Sequence, residues 1–373
     1  MGIGLENLAN SGALQTREYV PGKSKKEVER ELNLTNTVKM ASNENPHGAS
    51  LRARKAITAA LDQVYMYPDP TSYELRVKLA ALHGVSADEI TVGNGADGVI
   101  YNLGMAVVDQ DDELLIPEIT FPVYETIVRI MRGRPIFTRM QGLRIDLRDL
   151  ADRITERTKA IFLCNPNNPT GDILPREALS EFLRSVPSRV LVVLDEAYID
   201  FAAPETRPDS LGLFKQGMKN LVILRTLSKV YGLAGVRLGY GIADSSLVRL
   251  IARVKPPFDV SLLAESAGLE ALEDLEFIER TLSDAAEEKQ VFYKELKELG
   301  LSYVPSHTNF ILIDTGRDAA LVSRRLLERG LIVRPAVAYG LPTSIRVTLG
   351  LAEENRRFFR AFREVLAEIP AGA

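Results

Sequence analysis

The chain has 373 residues, 46% hydrophobic and 26% charged, the balance of a soluble globular protein long enough for two domains. Its formal net charge of −4 leaves no basic footprint, so nucleic acid is not an expected partner. A single cysteine excludes an internal disulfide, three scattered histidines argue against a structural zinc, and no apolar run reaches membrane length.

The first 40 or so residues are mixed in texture and are expected to pack on a C-terminal unit or on another subunit. MGIGLENLAN lacks the basic and apolar regions of a signal peptide, so a cytoplasmic location without membrane contact is expected. From residue 89 short apolar runs alternate with amphipathic segments. Strands are expected at 89–93, 112–117, 159–166, 189–196, 220–226 and 236–243, with helices at 96–108, 121–131 and 176–186 between them. That alternation predicts an α/β fold around a mostly parallel sheet covered on both faces. Beyond the Pro256–Pro257 pair the texture changes to a long charged helix at about 262–299, then strands at 309–314, 331–335 and 344–350 and a final helix. This predicts a smaller α+β unit. The expected division is 46–257 for the large domain, and 1–45 with 258–373 for the small one.

RTLSKVYGLAGVRLGY (225–240) sets one lysine after an expected strand end, among hydroxyls and ahead of Arg237. Open α/β sheets place ligands at such strand ends. An amine there, desolvated and near a second cation, has a depressed pKa and can form a Schiff base with a carbonyl. Lys229 taken alone reads as a solvated surface lysine. Thr226, Ser228 and the guanidinium fork of Arg237 change that reading, because they suit a phosphate. A carbonyl and a phosphate together indicate pyridoxal 5'-phosphate. Asp195 supplies a check: in RVLVVLDEAY an acid closes an apolar run, where it either caps the next element or pairs with the cofactor's pyridine nitrogen. Tyr198, three residues on, could bond the cofactor's phenolic oxygen. NPNNPTG (165–171) has turn composition, and Asn168 in it could donate to the same oxygen. VGNGADGVI (92–100) contains G-x-G-x-x-G, but some 90 residues into the chain it is a poor dinucleotide fingerprint. Gly95, Ala96 and Asp97 open a helix whose N–H groups could hold phosphate, with Asp97 capping the helix or ordering Arg or hydroxyl groups nearby. Phe121 is either core or a stacking partner for the ring. Arg346, between apolar residues of SIRVTLG, needs an anion from the chain or from a substrate, and Arg334 in LIVRPA is a second such cation.

GNGAD, NPNNPTG, LDEAY, TLSK, GLAGVRLGY and IRVTLG, in this order, resemble the fold type I pyridoxal-phosphate aminotransferases. YVPGK (19–23), ASNENPHG (41–48), YPDP (67–70) and the 333–350 segment resemble, within them, the histidinol-phosphate aminotransferase family. The resemblance implies a seven-stranded large sheet, a homodimer with sites at its interface, and transfer of an amino group between L-histidinol phosphate and 2-oxoglutarate. It makes Lys229 the catalytic lysine, Asp195 the pyridine partner, Asn168 and Tyr198 the phenolic-oxygen partners and Phe121 the stacking ring. Ala96, Asp97, Thr226, Ser228 and Arg237 fall on the phosphate cradle. Arg346 falls on the grip for the substrate's anionic end, with Arg334 and Asn43 beside it, and Tyr67 on a tyrosine that reaches the partner subunit's cofactor phosphate. Tyr19 is a further substrate-side residue, although TREY stands where the family often has Arg-Pro-Tyr. Aromatic amino-acid aminotransferases and threonine-phosphate decarboxylase share much of this pattern and are the alternatives.

Overall fold

The computed structural model describes residues 4, 8–16, 18 and 22–370. The apolar runs form one sheet of seven strands: Ile90–Asn94 (β1), Glu113–Pro117 (β2), Arg134–Thr138 (β3), Thr158–Cys164 (β4), Leu191–Asp195 (β5), Leu221–Thr226 (β6) and Leu238–Ile242 (β7). The order across it is β1-β7-β6-β5-β4-β2-β3, and β7 runs antiparallel to both neighbours while the other pairs are parallel. Leu115, Ile161, Leu163, Val192, Leu194 and Ile223 enter the core on one face. Leu114, Ile116, Phe162, Val193 and Leu224 enter the core on the other. Successive strand residues point to opposite faces, so a sheet buried on both sides needs apolar residues at every position. The expected α/β class follows from that.

Three local expectations need correction and one strand was missed. The strand expected at 331–335 is two short ones, Leu331–Ile332 and Arg334–Pro335, in different sheets. Strand β3 was not anticipated, because its Arg-Pro start and partly exposed residues do not read as a buried run; at the sheet edge a proline is tolerated. The segment expected as one helix over 262–299 is two, Leu262–Ala271 and Leu275–Glu298. The second starts where the Asp274 side chain accepts from the N–H of Phe277. The strand expected from 236 begins at Leu238, since Ala234–Val236 is a 3₁₀ turn and Arg237 has φ 61°.

A second sheet contains Ser302–Tyr303 (β8), Phe310–Asp314 (β9), Arg334–Pro335 (β10) and Ser344–Thr348 (β11), in the order β8-β9-β11-β10. Its core joins Ile311, Ile313, Ile345 and Val347 to Phe292, Val322, Phe358 and Phe362 of three helices. The N-terminal segment belongs with it: Val38–Lys39 pairs with Leu331–Ile332, and Val38 and Met40 enter the same core. The helix Leu262–Ala271 instead sends Ala264, Ala267 and Ala271 into the large-sheet core. We therefore propose that the two units divide at the 272–274 break rather than at Pro256–Pro257. Among the described residues no helix is long and apolar enough to cross a membrane.

Candidate active site

Between the two sheets lies a cavity of about 330 Å³. Its wall takes Cys164, Asp195 and Thr226 from the carboxyl ends of β4, β5 and β6, and Arg334 and Arg346 from the small sheet. Lys229 is the one lysine among the described residues lining it. Its amine is 3.5 Å from the Ser42 carbonyl oxygen and 5.4 Å from the centre of the Tyr198 ring. Burial lowers its pKa to about 8, and the Arg346 guanidinium pushes the same way. A lysine that is largely neutral slightly above pH 8 is a nucleophile and a base, which a solvated lysine is not.

Asp195 is buried at the far end of β5. Oδ2 accepts from the Tyr124 hydroxyl at 2.7 Å, and Oδ1 accepts from the Ala197 N–H at 3.0 Å. Burial raises its pKa to about 6 against these two bonds, so the carboxylate is ionised at neutral pH. The following acid, Glu196, points to the opposite face and pairs with Arg225 and Ser210. Tyr198 accepts from Asn43 Nδ2 at 2.9 Å, which leaves its own O–H able to donate. Asn168 accepts at Oδ1 from Arg346, leaving its NH₂ group for another acceptor. Phe121 lines the cavity and meets the edge of Tyr124, with ring centres 5.6 Å apart.

One corner of the cavity suits a phosphate. The helix Gly95–Val107 starts there, and no side chain caps it, so the first N–H groups at Ala96 and Asp97 lack a side-chain acceptor. Thr226 and Ser228 hydroxyls, 2.9 Å apart, and Arg237 line the same corner. Of the two roles open to Asp97, the structure selects the second: Oδ2 accepts from Arg237 Nη2 at 3.3 Å. Gly95 does not line the cavity but makes this approach possible. A Cβ there would lie 2.5 Å from Arg237 Nη2, at a φ of +75°. Gly239, which the sequence reading did not single out, is equally constrained, since a Cβ would lie 2.2 Å from the Ala96 nitrogen. The residues present fit a phosphate-bearing aldehyde: amine, carboxylate, phenol, amide and anion cradle all converge on one space.

Arg346 is buried, and among the described residues it makes no ion pair. It donates to the Ala41 carbonyl oxygen at 2.7 Å and to Asn168, while Nε has no partner. A buried guanidinium left in this state has donor capacity for an anion in the cavity. Arg334 is its cross-strand neighbour on β10 and lines the cavity too. Asn43 does not reach in as an isolated side chain; it is held by Thr348 and bonds Tyr198. Tyr67 is not in the cavity of this chain. It is 81% exposed and stacks on Phe258 at 4.4 Å. Tyr19 lies outside the described residues. Sequence reasoning missed Tyr124, Ser42, Glu44 and Tyr339. Only Tyr124 carried a signal, standing three residues after Phe121 at the head of a helix, where such pairs share a face. The described residues hold no group of three or more histidine, cysteine or carboxylate side chains suited to a metal.

Comparison with known proteins agrees with this geometry. Residues 35–362 match the family model for aminotransferase class I and II. The chain is 44% identical over 354 residues to histidinol-phosphate aminotransferase of Moorella thermoacetica, covering 95% of this chain and 92% of that one. It is 45% identical over 351 residues to histidinol-phosphate aminotransferase 2 of Carboxydothermus hydrogenoformans, covering 94% and 97%. The crystal structure of histidinol-phosphate aminotransferase from Sinorhizobium meliloti, in complex with pyridoxal-5'-phosphate, superposes with a TM-score of 0.88 at 27% identity over 95% of this chain and 97% of that one. This chain belongs to the class I and II aminotransferases and, within them, to the histidinol-phosphate aminotransferase family.

Proposed function

We propose that this chain is a pyridoxal-phosphate-dependent aminotransferase that converts L-histidinol phosphate and 2-oxoglutarate to imidazole-acetol phosphate and L-glutamate, a step of histidine biosynthesis. The convergence of Lys229 and Asp195 on one cavity, between an uncapped helix start and the buried Arg346, carries this reading. The cofactor, when bound, supplies an aldehyde for the amino group and a ring that withdraws electrons from the carbon losing its proton. Lys229 would hold the cofactor and, as a free amine, take the proton from the donor's amine-bearing carbon and, in the second half-reaction, supply one to the oxo carbon of the acceptor. Asp195 keeps the ring nitrogen protonated; Tyr198 and Asn168 donate to the phenolic oxygen; Phe121 stacks on the ring. Ala96, Asp97, Thr226, Ser228 and Arg237 form the phosphate cradle, with Gly95 leaving room for the Arg237 guanidinium. Arg346, with Arg334 and Asn43 beside it, receives the phosphate of one substrate and a carboxylate of the other in turn.

The decisive experiment is a donor panel with 2-oxoglutarate: histidinol phosphate, phenylalanine, tyrosine and phosphothreonine. A kcat/KM highest for histidinol phosphate is expected. A preference for an aromatic amino acid, or release of carbon dioxide from phosphothreonine, would replace the substrate and leave Lys229 in its role.

The pKa of Lys229 gives a second test. Cofactor uptake needs the neutral amine, so its rate in the cofactor-free protein should rise with pH through about 8 and then level off, followed by absorbance. A rate still climbing beyond pH 10, where an ordinary lysine titrates, would contradict the desolvated site.

The protein acts as a homodimer in this reading. Tyr65, Met66 and Tyr67 form an exposed apolar run beside Phe258, and a second copy would cover it while Tyr67 reaches the partner's phosphate cradle. Sedimentation should give twice the 41.2 kDa chain mass, and Tyr67→Ala should weaken cofactor binding. A monomer with full activity would rule this out.

A further inference from the structure

Tyr124 takes no part in the roles assigned above. It is fully buried, its ring stacks on Phe162 with centres 4.8 Å apart, and its hydroxyl ends 2.7 Å from Asp195 Oδ2. A buried phenol needs a partner, and an acceptor-only carboxylate is the strongest it can have. The reverse dependence is larger. Among the described residues Asp195 makes no ion pair: it faces Tyr124 and Cys164 on its own side and feels the negative charges of Asp97 and Glu196, while Tyr198 and Lys229 line the same cavity. Burial and both acids favour the neutral form. The hydrogen bonds from Tyr124 and the Ala197 N–H oppose them. The backbone donor survives any side-chain change, so Tyr124 is the side-chain donor that sets the charge state.

We propose that Tyr124 is a positioning residue whose hydroxyl keeps Asp195 ionised and turned toward the cavity, so that the carboxylate can partner the cofactor's ring nitrogen. The inference rests on the function proposed above for its purpose, but its first test does not. Asp195 titrates higher in the folded chain, near 6, than when unfolded, near 3.9. The folded state thus binds the proton more tightly, and Asp195 subtracts stability as pH rises through that interval and no further above it. Removing the donor raises the folded value and extends the loss to higher pH.

Tyr124→Phe keeps the ring between Phe121 and Phe162 and deletes only the hydroxyl. In the cofactor-free full-length chain, the pH at which melting temperature stops falling should move up by roughly one to two units. The midpoint below which pyridoxal phosphate binding weakens, read by absorbance, should move up equally. In an Asp195→Asn background the substitution should shift neither. Unchanged midpoints in Tyr124→Phe would overturn the proposal. Should Tyr124→Phe alone fail to fold, recovery of folding by Asp195→Asn supports it, since the neutral amide no longer needs the donor; failure of the double variant as well makes the phenol merely structural and rejects it. A shifted melting profile in a protein that binds no pyridoxal phosphate at any pH upholds the Tyr124–Asp195 link and rejects the proposed function instead.

Discussion

Lys229→Ala is expected to lower kcat for histidinol phosphate by about 10⁴-fold, the upper range for loss of a general acid–base group. In the proposed function the same residue is also the covalent anchor for the cofactor, so no neighbouring group would replace it; Lys229 is the one lysine among the described cavity residues. Stability should move the other way or not at all. The amine lowers its pKa because its charge is poorly solvated, and it makes no ion pair among the described residues. Deleting such a group removes a desolvation penalty and leaves no buried partner stranded. Steady-state turnover and a thermal melt on the same preparation check both halves. A variant that retains more than about a tenth of wild-type turnover would remove Lys229 from the chemistry.

Arg346→Ala should reduce kcat/KM by on the order of 10²-fold or more, the scale found when one partner of a buried, hydrogen-bonded charge pair is lost. Both half-reactions should suffer, because histidinol phosphate and 2-oxoglutarate each bring an anion to the cavity. Arg346→Lys should recover little. A single ammonium on a shorter stem lacks the planar fork that spans the Ala41 carbonyl and Asn168 with a donor to spare. The variant also frees Asn168 Oδ1, so cofactor binding must be measured separately. Loss of cofactor affinity with unchanged substrate KM would assign Arg346 to holding Asn168 rather than to the substrate. An effect confined to one of the two substrates would restrict it to that anion.

The residues that carry these predictions were differently visible. Lys229, Asp195, Thr226 and Ser228 stand at or just after apolar runs, and a polar group closing a buried strand is a local signal. The class of fold and the chemistry of the cofactor were therefore legible, as was Arg346, a charge inside SIRVTLG. Strand β3 was not, because an edge strand with a leading Arg-Pro has no burial pattern to display. Nor was the break at 272–274, where one carboxylate capping the next helix interrupts an otherwise helical texture.

Residue types, their order and the period of the apolar runs are properties of neighbours in the chain, and they sufficed for the α/β sheet and for the lysine, the acid and the arginines that line the cavity. Assembly was a matter of packing. Asn168 meets Arg346 across 178 positions, Tyr124 meets Asp195 across 71, and Asn43 meets Thr348 across 305. Between Asp195 and Glu196 the pleat of β5 turned the first acid to the cavity and the second to Arg225, a choice of one residue that depends on which face of the sheet each helix covers. Such contacts join residues far apart in the chain, some within one core and some across the cavity, and no local pattern records them.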